Sequence, residues 1–324
     1  MEWQKYTMNQ KFTYFYGNAV WSILGKWFDS SATRMPASEL DAQCIDWMRA
    51  IPFILLHLSC FAVIWTGWSP VAVVTAIALY ALRMFAITGF YHRYFSHRAF
   101  KTSRSTQLIF AILGASAVQR GPLWWAAHHR QHHAHADQGT DPHSPGQHGF
   151  WWSHMAWFLT KGNFHTQGER IRDLSRYPEL RFLDRYDVLV PLLLAMVLFA
   201  VGESLAWLAP DLGTNGLQML TWGFAISTVA LYHVTFTINS MAHTIGSRRY
   251  PTKDDSRNNL LLAILTFGEG WHNNHHHYPG SARQGFFWWE IDITYYVLAL
   301  LERIGLIWDL RPVPEKIKRL GETS

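Results

Sequence analysis

Histidine is the residue of this chain whose number and spacing can do chemistry. The 324 residues include 18 His but only two Cys, Cys44 and Cys60. So few thiols exclude a disulfide scaffold and a thiolate metal cage, and leave imidazole as the metal-binding group. In His129-Arg130-Gln131-His132-His133 the imidazoles stand at i, i+3 and i+4, positions that share one face of a helix. His272-Asn273-Asn274-His275-His276 repeats that spacing, and Asn239 and His243 form a further i, i+4 pair. His92 and His97 are five apart and diverge on a straight α-helix, so the helix is expected to end or kink between them. Nine imidazoles exceed the three or four protein ligands of a single zinc. They suit two metals in near-octahedral sites with an open or water-filled position. Imidazole accepts zinc, copper, iron and nickel, so ligand type alone does not choose the metal.

The elements that carry these residues are legible in the charge pattern. Only 16% of the chain is charged, against about a quarter in soluble domains. The net charge of +5 suits a membrane surface or an anionic ligand rather than a dedicated nucleic-acid binder. A mean hydropathy of -0.04, taken alone, speaks against a chain packed with membrane spans, but the average hides segregation. No Asp, Glu, Lys or Arg occurs between Arg49 and Arg83, or between Asp211 and Arg248, and Asp187 to Pro210 is interrupted only by Glu203. A helix needs about 20 apolar residues to cross a bilayer. The pattern predicts spans near 51–67, 70–90, 188–209 and 217–239, paired as two tight hairpins across Gly67-Trp68-Ser69-Pro70 and Pro210-Asp211-Leu212-Gly213. The predicted fold is all-α: an integral membrane protein with an N-terminal region (1–50), hairpin one (51–90), a segment with the first two histidine clusters (91–187), hairpin two (188–239) and a segment with the third (240–324). Of 28 Lys and Arg, 5 precede residue 51, 12 lie in 91–187 and 10 follow 247, with Arg83 left over. Basic residues stay cytoplasmic, which places both termini, the central segment and every histidine cluster on the cytoplasmic side. The apolar run Ser105–Val118 is too short to span, the N-terminal region lacks the form of a signal peptide, and Ile291 to Trp308 reads as a helix lying along the membrane.

Four segments resemble the membrane fatty-acyl desaturase family, in particular its stearoyl-CoA Δ9 branch: His92-Arg-Tyr-Phe-Ser-His97, His129-Arg-Gln-His-His133, Asn239-Ser-Met-Ala-His243 and Gly268-Glu-Gly-Trp-His-Asn-Asn-His-His276. The tail Ser281-Ala-Arg-Gln-Gly-Phe-Phe-Trp-Trp-Glu-Ile-Asp292 looks like the bacterial members, and the resemblance runs from the first span to Arg311. It implies a non-haem di-iron site with His92, His97, His129, His132, His133, His243, His272, His275 and His276 as ligands, and Asn239 holding an iron-bound water. It also implies O2 as co-substrate, two hydrogens taken from adjacent carbons of a saturated acyl chain, and a location in the bacterial inner membrane. Unactivated methylene is beyond any protein acid or base, so the cofactor carries that step while the protein positions the chain. Glu269, Asp137 and Asp141 are the carboxylates expected to fix imidazole tautomers. His128, His135 and His277 adjoin the motifs without being family ligands, and His143 is expected to order its loop. His57 and His233 fall inside spans with no nameable partner and are read as helix-packing residues.

The resemblance further places Gln119, Trp125 and Thr235 where a kink around the reacting carbons is made. Arg120, Lys161, Arg170, Arg172 and Arg176 are candidate contacts for the phosphates of an acyl-CoA, although they could equally face anionic lipid. The chain contains neither a His-Pro-Gly-Gly haem motif nor a Gly-x-Gly-x-x-Gly loop, so a separate ferredoxin, rubredoxin, cytochrome or reductase is expected to deliver electrons. A di-iron fatty-acid or alkane hydroxylase is the nearest alternative, and a His-rich membrane metal transporter a second. Transporters place their sites near the midplane, whereas these clusters lie outside the predicted spans. Thr88, Met84 and Tyr80 precede His92 by 4, 8 and 12 residues, and Met84 lies ~12 Å along the helix from it. Bulky Met84 is therefore expected to favour acyl chains near palmitoyl. Met84→Ala should shift the products towards longer chains in a fatty-acid profile; an unchanged profile removes Met84 from chain-length selection.

Overall fold

The computed structural model describes residues 25–32 and 35–322. Much of the predicted N-terminal region, and the last two residues of the C-terminal segment, lie outside these residues. Four helices are long and apolar enough to cross a membrane: Trp47–Thr66, Pro70–Ser96, Leu189–Leu208 and Gly216–His243. Each predicted span is found, and two reach further than the apolar runs suggest. The second and fourth continue to Ser96 and His243, so His92 and Asn239 ride on the ends of the spanning helices themselves.

Chain order gives two hairpins, but packing joins them. The fourth span packs against each of the other three. Arg83, fully buried, ties it to the second: its guanidinium donates to Ser227 Oγ (2.6 Å), Thr228 Oγ1 (2.7 Å) and the Ser116 carbonyl (3.2 Å). Phe53 of the first span stacks on Tyr232 of the fourth with centroids 5.7 Å apart. His57 and His233, expected to lack partners, face each other at 3.2 Å between Nε2 atoms, and His233 Nδ1 meets His154 Nε2 at 3.0 Å. The sequence reading missed this because the partners come from segments 79 or more residues away.

A second correction concerns the helix through the first histidine pair. Ala86–Ser96 is wound as a π-helix, and the His97 amide donates to the His92 carbonyl at 3.3 Å. An i→i+5 turn brings residues five apart to one side. His92 and His97 therefore lie side by side, ring centroids 4.9 Å apart, without a break between them. A third concerns the tail. The helix covers Ile293–Arg303 only, and Ile307–Trp308 forms an antiparallel pair with Lys101–Thr102. That pair closes the tail over the residues following the first histidine pair.

The helix Pro122–His135 carries the second histidine cluster. Pro122 starts it, and Asp184 from the helix Pro178–Arg185 caps it, accepting from the Trp124 amide (2.7 Å) and Thr166 Oγ1 (2.7 Å). Gly121 allows this approach, since a Cβ there would sit 2.3 Å from Asp184 Cα. Burial pushes the Asp184 carboxyl up to about 6, from its ordinary value of about 3.9. Between these values the folded chain binds more protons than the unfolded one, so this group's contribution to stability falls as pH rises from about 4 to about 6. Asp184→Asn keeps the acceptor for Trp124 and removes that titration. Its thermal stability relative to the unsubstituted protein should improve across this window and level off above it, as measured by melting temperature in detergent.

Candidate metal centre

All nine histidines meet on one side of the spans, in two groups. His92, His97, His129, His133 and His275 form one; His132, His243, His272 and His276 form the other. Within each group the ligating nitrogens lie within 4.8 Å of one another. The division follows helical spacing. The i, i+4 pair His129 and His133 enters the five-histidine group, and the intervening His132 enters the other. On the helix His272–His277 the roles reverse: His272 and His276 join the four-histidine group and His275 crosses to the five. The second and third clusters thus each serve both groups. A further grouping, His132, Asp141 and His143, shares His132 with the second.

Carboxylates set the tautomers. His92 Nδ1 contacts Glu269, His243 Nδ1 contacts Asp137 at 2.7 Å, and His132 Nδ1 contacts Asp141 at 2.9 Å. These are the three carboxylates expected from the sequence. Asp254, 2.9 Å from His276 Nδ1, was missed. It lies in a loop outside every motif, and no sequence spacing relates it to His276. An imidazole that donates its Nδ1 proton to a carboxylate presents a bare lone pair at Nε2. In the four-histidine group the carboxylate-held His132 and His276 face each other at 3.3 Å, and His243 faces His272 at 3.0 Å, between Nε2 atoms. In the other group His97 meets His129 at 2.7 Å, and His275 lies 3.0 Å from His92 and 2.9 Å from His133. Facing lone pairs, as at His132 and His276, repel unless a cation lies between them, and clustered imidazole nitrogens in both groups fit one metal ion in each.

The electrostatics agree. Burial, then the neighbouring imidazoles, holds His97, His129, His133, His272 and His275 well below the usual histidine range, so they are neutral donors. Burial likewise brings His276 down to about 4. His132 is the exception: burial lowers it, and Asp141, Asp137 and Asp254 together outweigh burial and raise it. Burial opposes ionisation of those three aspartates, but their imidazole partners and other hydrogen bonds hold each below the usual carboxylate range. The four-histidine group is therefore an electronegative spot that attracts a cation.

Buried charge holds the frame. Arg93, fully buried, donates to Glu269 Oε1 (3.0 Å), Asp292 Oδ2 (3.0 Å) and the Ala282 carbonyl (2.7 Å). This joins the second span, the third histidine cluster and the tail. The two asparagines between His272 and His275 anchor that short helix. Asn273 Oδ1 accepts from the Arg249 and Tyr250 amides (2.8 and 2.7 Å), and Asn274 Nδ2 donates to Glu290 (2.8 Å).

Gln119, Trp125 and Thr235 are brought together. Gln119 Nε2 donates to Thr235 Oγ1 at 2.7 Å, and Trp125 Nε1 lies 3.4 Å from Gln119 Oε1. Trp125 also stacks on His129, centroids 5.1 Å apart. Three cavities meet around them. A cavity of about 500 Å³ lies among Phe53, Gln119, Arg120, Tyr232 and Phe236. A small one shares Gln119 and Phe236 with it and adds His129 and Asn239. The innermost shares Trp125, Thr235 and Asn239 with the second and reaches Thr88, His92, His132 and His272. Thr88 Oγ1 is 2.6 Å from Thr294 Oγ1; Met84 is fully buried in the core, and the Tyr80 hydroxyl donates to the Leu265 carbonyl (2.8 Å). Neither Met84 nor Tyr80 lines the innermost cavity.

Of the basic residues considered for a head group, Arg120 lines the large cavity. It pairs with Asp187 at 3.0 Å and lies over the Phe164 ring. Lys161 pairs with Asp41, Arg170 donates to Gln167, and Arg176 lies over Tyr177; Arg172 is exposed. His143 stacks on His132, while its amide donates to Asp141. His128 is buried against Trp124 and Trp157, His277 stacks on Tyr250, and His135 is half-buried.

Residues 66–307 match the family model described as fatty acid desaturase. The chain is 37% identical over 292 residues to a palmitoyl-monogalactosyldiacylglycerol delta-7 desaturase of Arabidopsis thaliana, covering 88% of this chain and 74% of the relative. It is 35% identical to an sn-1 stearoyl-lipid 9-desaturase of Anabaena variabilis (84% and 96% covered) and 39% identical to an acyl-CoA 5-desaturase of Anemone leveillei (82% and 79%). Removing Glu269 would strip His92 of its carboxylate and Arg93 of a buried counter-charge. Glu269→Ala should therefore destabilise the protein by about 3–5 kcal/mol, measurable by denaturant or thermal unfolding, and Glu269→Gln by less.

Proposed function

The chain belongs to the fatty acid desaturase family, and from that premise we propose that it is an O2-dependent Δ9 desaturase with a di-iron centre. The observation that carries this reading is that the cavity reaching His92, His129, His132 and His272 adjoins a second at Trp125, Thr235 and Asn239, which in turn adjoins the large apolar cavity at Gln119 and Phe236. The overall reaction converts a saturated acyl chain, O2, two electrons and two protons into a cis-alkene and two waters. Two irons, when bound, supply O2 activation and removal of hydrogen from unactivated methylene.

The protein's own residues do the rest. The apolar walls of the large cavity take the acyl chain, and the Gln119–Thr235 hydrogen bond fixes the turn beneath the Trp125 ring. The chain's methyl end runs towards Thr88, with Met84 and Tyr80 beyond. Asn239, on the wall of both small cavities, is placed to hold a water for the four-histidine group. Asp137, Asp141, Asp254 and Glu269 hold their imidazoles with Nε2 inward. Electrons come from a separate protein donor, and the histidine face lies on the cytoplasmic side of a bacterial inner membrane.

We read the carrier as CoA, with Arg120 and Arg49, which line the large cavity, as the contacts for its phosphates. One observation favours a second carrier, an acyl lipid: Ile51, Leu55 and Leu192 line the same cavity and are exposed on the spanning surface, which opens it sideways. Expression in a desaturase-deficient host with a competent electron donor, followed by double-bond mapping, should give cis Δ9 products. Saturated lipids alone would overturn the activity. Purified protein supplied with palmitoyl-CoA or with a palmitoyl glycerolipid separates the carriers. Active protein should contain about two irons per chain, and stoichiometric zinc in its place would overturn the mechanism.

A further inference from the structure

The two histidine groups are not equivalent in what stands behind them. In the four-histidine group three imidazoles are held by carboxylates: His132 by Asp141, His243 by Asp137 and His276 by Asp254. In the five-histidine group, among the described residues, only His92 has one. That carboxylate, Glu269, is shared with the buried Arg93 guanidinium, which offsets its charge.

One loop, residues 247–258, is responsible for much of the difference. Its ends are tied by paired hydrogen bonds between Ser247 and Asn258 (2.9 and 2.7 Å), and Asn273 holds it down at Arg249 and Tyr250. Asp254 Oδ1 accepts from the Ser256 amide at 3.0 Å, which leaves Oδ2 for His276. The next amide, Asp255, donates to Asp137 Oδ2 at 2.8 Å, the atom that also faces His243. A single loop thus places one carboxylate and steadies a second.

We propose that the 247–258 loop, acting through Asp254, makes the four-histidine position the tighter of the two metal positions. The inference rests on the two-metal reading above. An imidazole that donates to a carboxylate is a stronger lone-pair donor, and removing such a partner weakens metal affinity about 10–100-fold. Three carboxylates one ring's width from the cation also attract it through a medium less polar than water. The fifth imidazole of the other group supplies a donor but no charge. Asp254 is a positioning residue in this scheme: it touches His276 and not the metal.

The test is a cobalt(II) titration, followed by visible absorption, of the full-length protein in detergent after chelation. The unsubstituted chain should bind two equivalents in two resolved phases. Asp254→Asn keeps the Oδ1 acceptor for Ser256 and should weaken the tighter phase about 10–100-fold while leaving the weaker one in place. Asp137→Asn should act on the same phase, which keeps the test decisive if one variant fails to fold. Glu269→Gln should act on the weaker phase, and Asp255→Asn, whose side chain faces Arg248, on neither. Two equal sites, or an Asp254→Asn effect on the weaker phase or on none, overturns the inference and leaves the two-metal reading standing. Fewer than two equivalents in the unsubstituted chain overturns both.

Discussion

Lone pairs at close range are the constraint from which the architecture follows. Nine imidazoles stand with Nε2 atoms about 3 Å apart; where their lone pairs face they repel, and a cation turns that repulsion into binding. Each imidazole must be held against rotation, which would relieve the repulsion and destroy the site. Four of the nine are held by carboxylates, and those carboxylates are buried charges that need partners of their own. The chain supplies them through Arg93, Ser144, Ser256 and backbone amides. Metal binding, buried charge and loop structure are therefore one problem with one solution.

That solution explains why the spanning helices do not stop at the membrane. The second and fourth run on to bring His92, Asn239 and His243 to the centre. The π-winding of Ala86–Ser96 lets one helix present both His92 and His97 to the same group. Polar contacts between spans, above all Arg83 with Ser227 and Thr228, fix the relative height of the two helices that carry these ligands. An axial slip would move ligands from both ends of the site at once.

The proposed route for an acyl chain follows from the same framework. Trp125 and His129 lie one turn apart on the helix Pro122–His135, so the residue proposed to shape the turn also stacks on a candidate ligand. Gln119 and Thr235, from a loop and a span, close the opposite side. The proposed bend is thus tied to covalent neighbours of the clustered histidines and cannot drift independently of them. Relatives whose names place the double bond at positions 5, 7 and 9 show that the family framework accommodates more than one register.

The sequence by itself determined the four spans, because a bilayer demands long runs without charge and the chain has them. The histidine clusters were legible as well, because their i, i+3, i+4 spacings beside the span ends single them out, and the structure brings all nine into two groups. Glu269, Asp137 and Asp141 were legible because they adjoin the motifs. What it could not determine were facts set by distant segments. Asp254 reaches His276 from a loop 22 residues away, and His57 finds His233 across 176 residues. The π-winding follows from packing, since nothing in the residue types of Ala86–Ser96 separates it from an α-helix. The assignment of His132 to one group and His133 to the other was likewise undecided by spacing. Adjacent residues on a helix point about 100° apart, and which metal position each meets depends on how three helices from three parts of the chain are laid against one another.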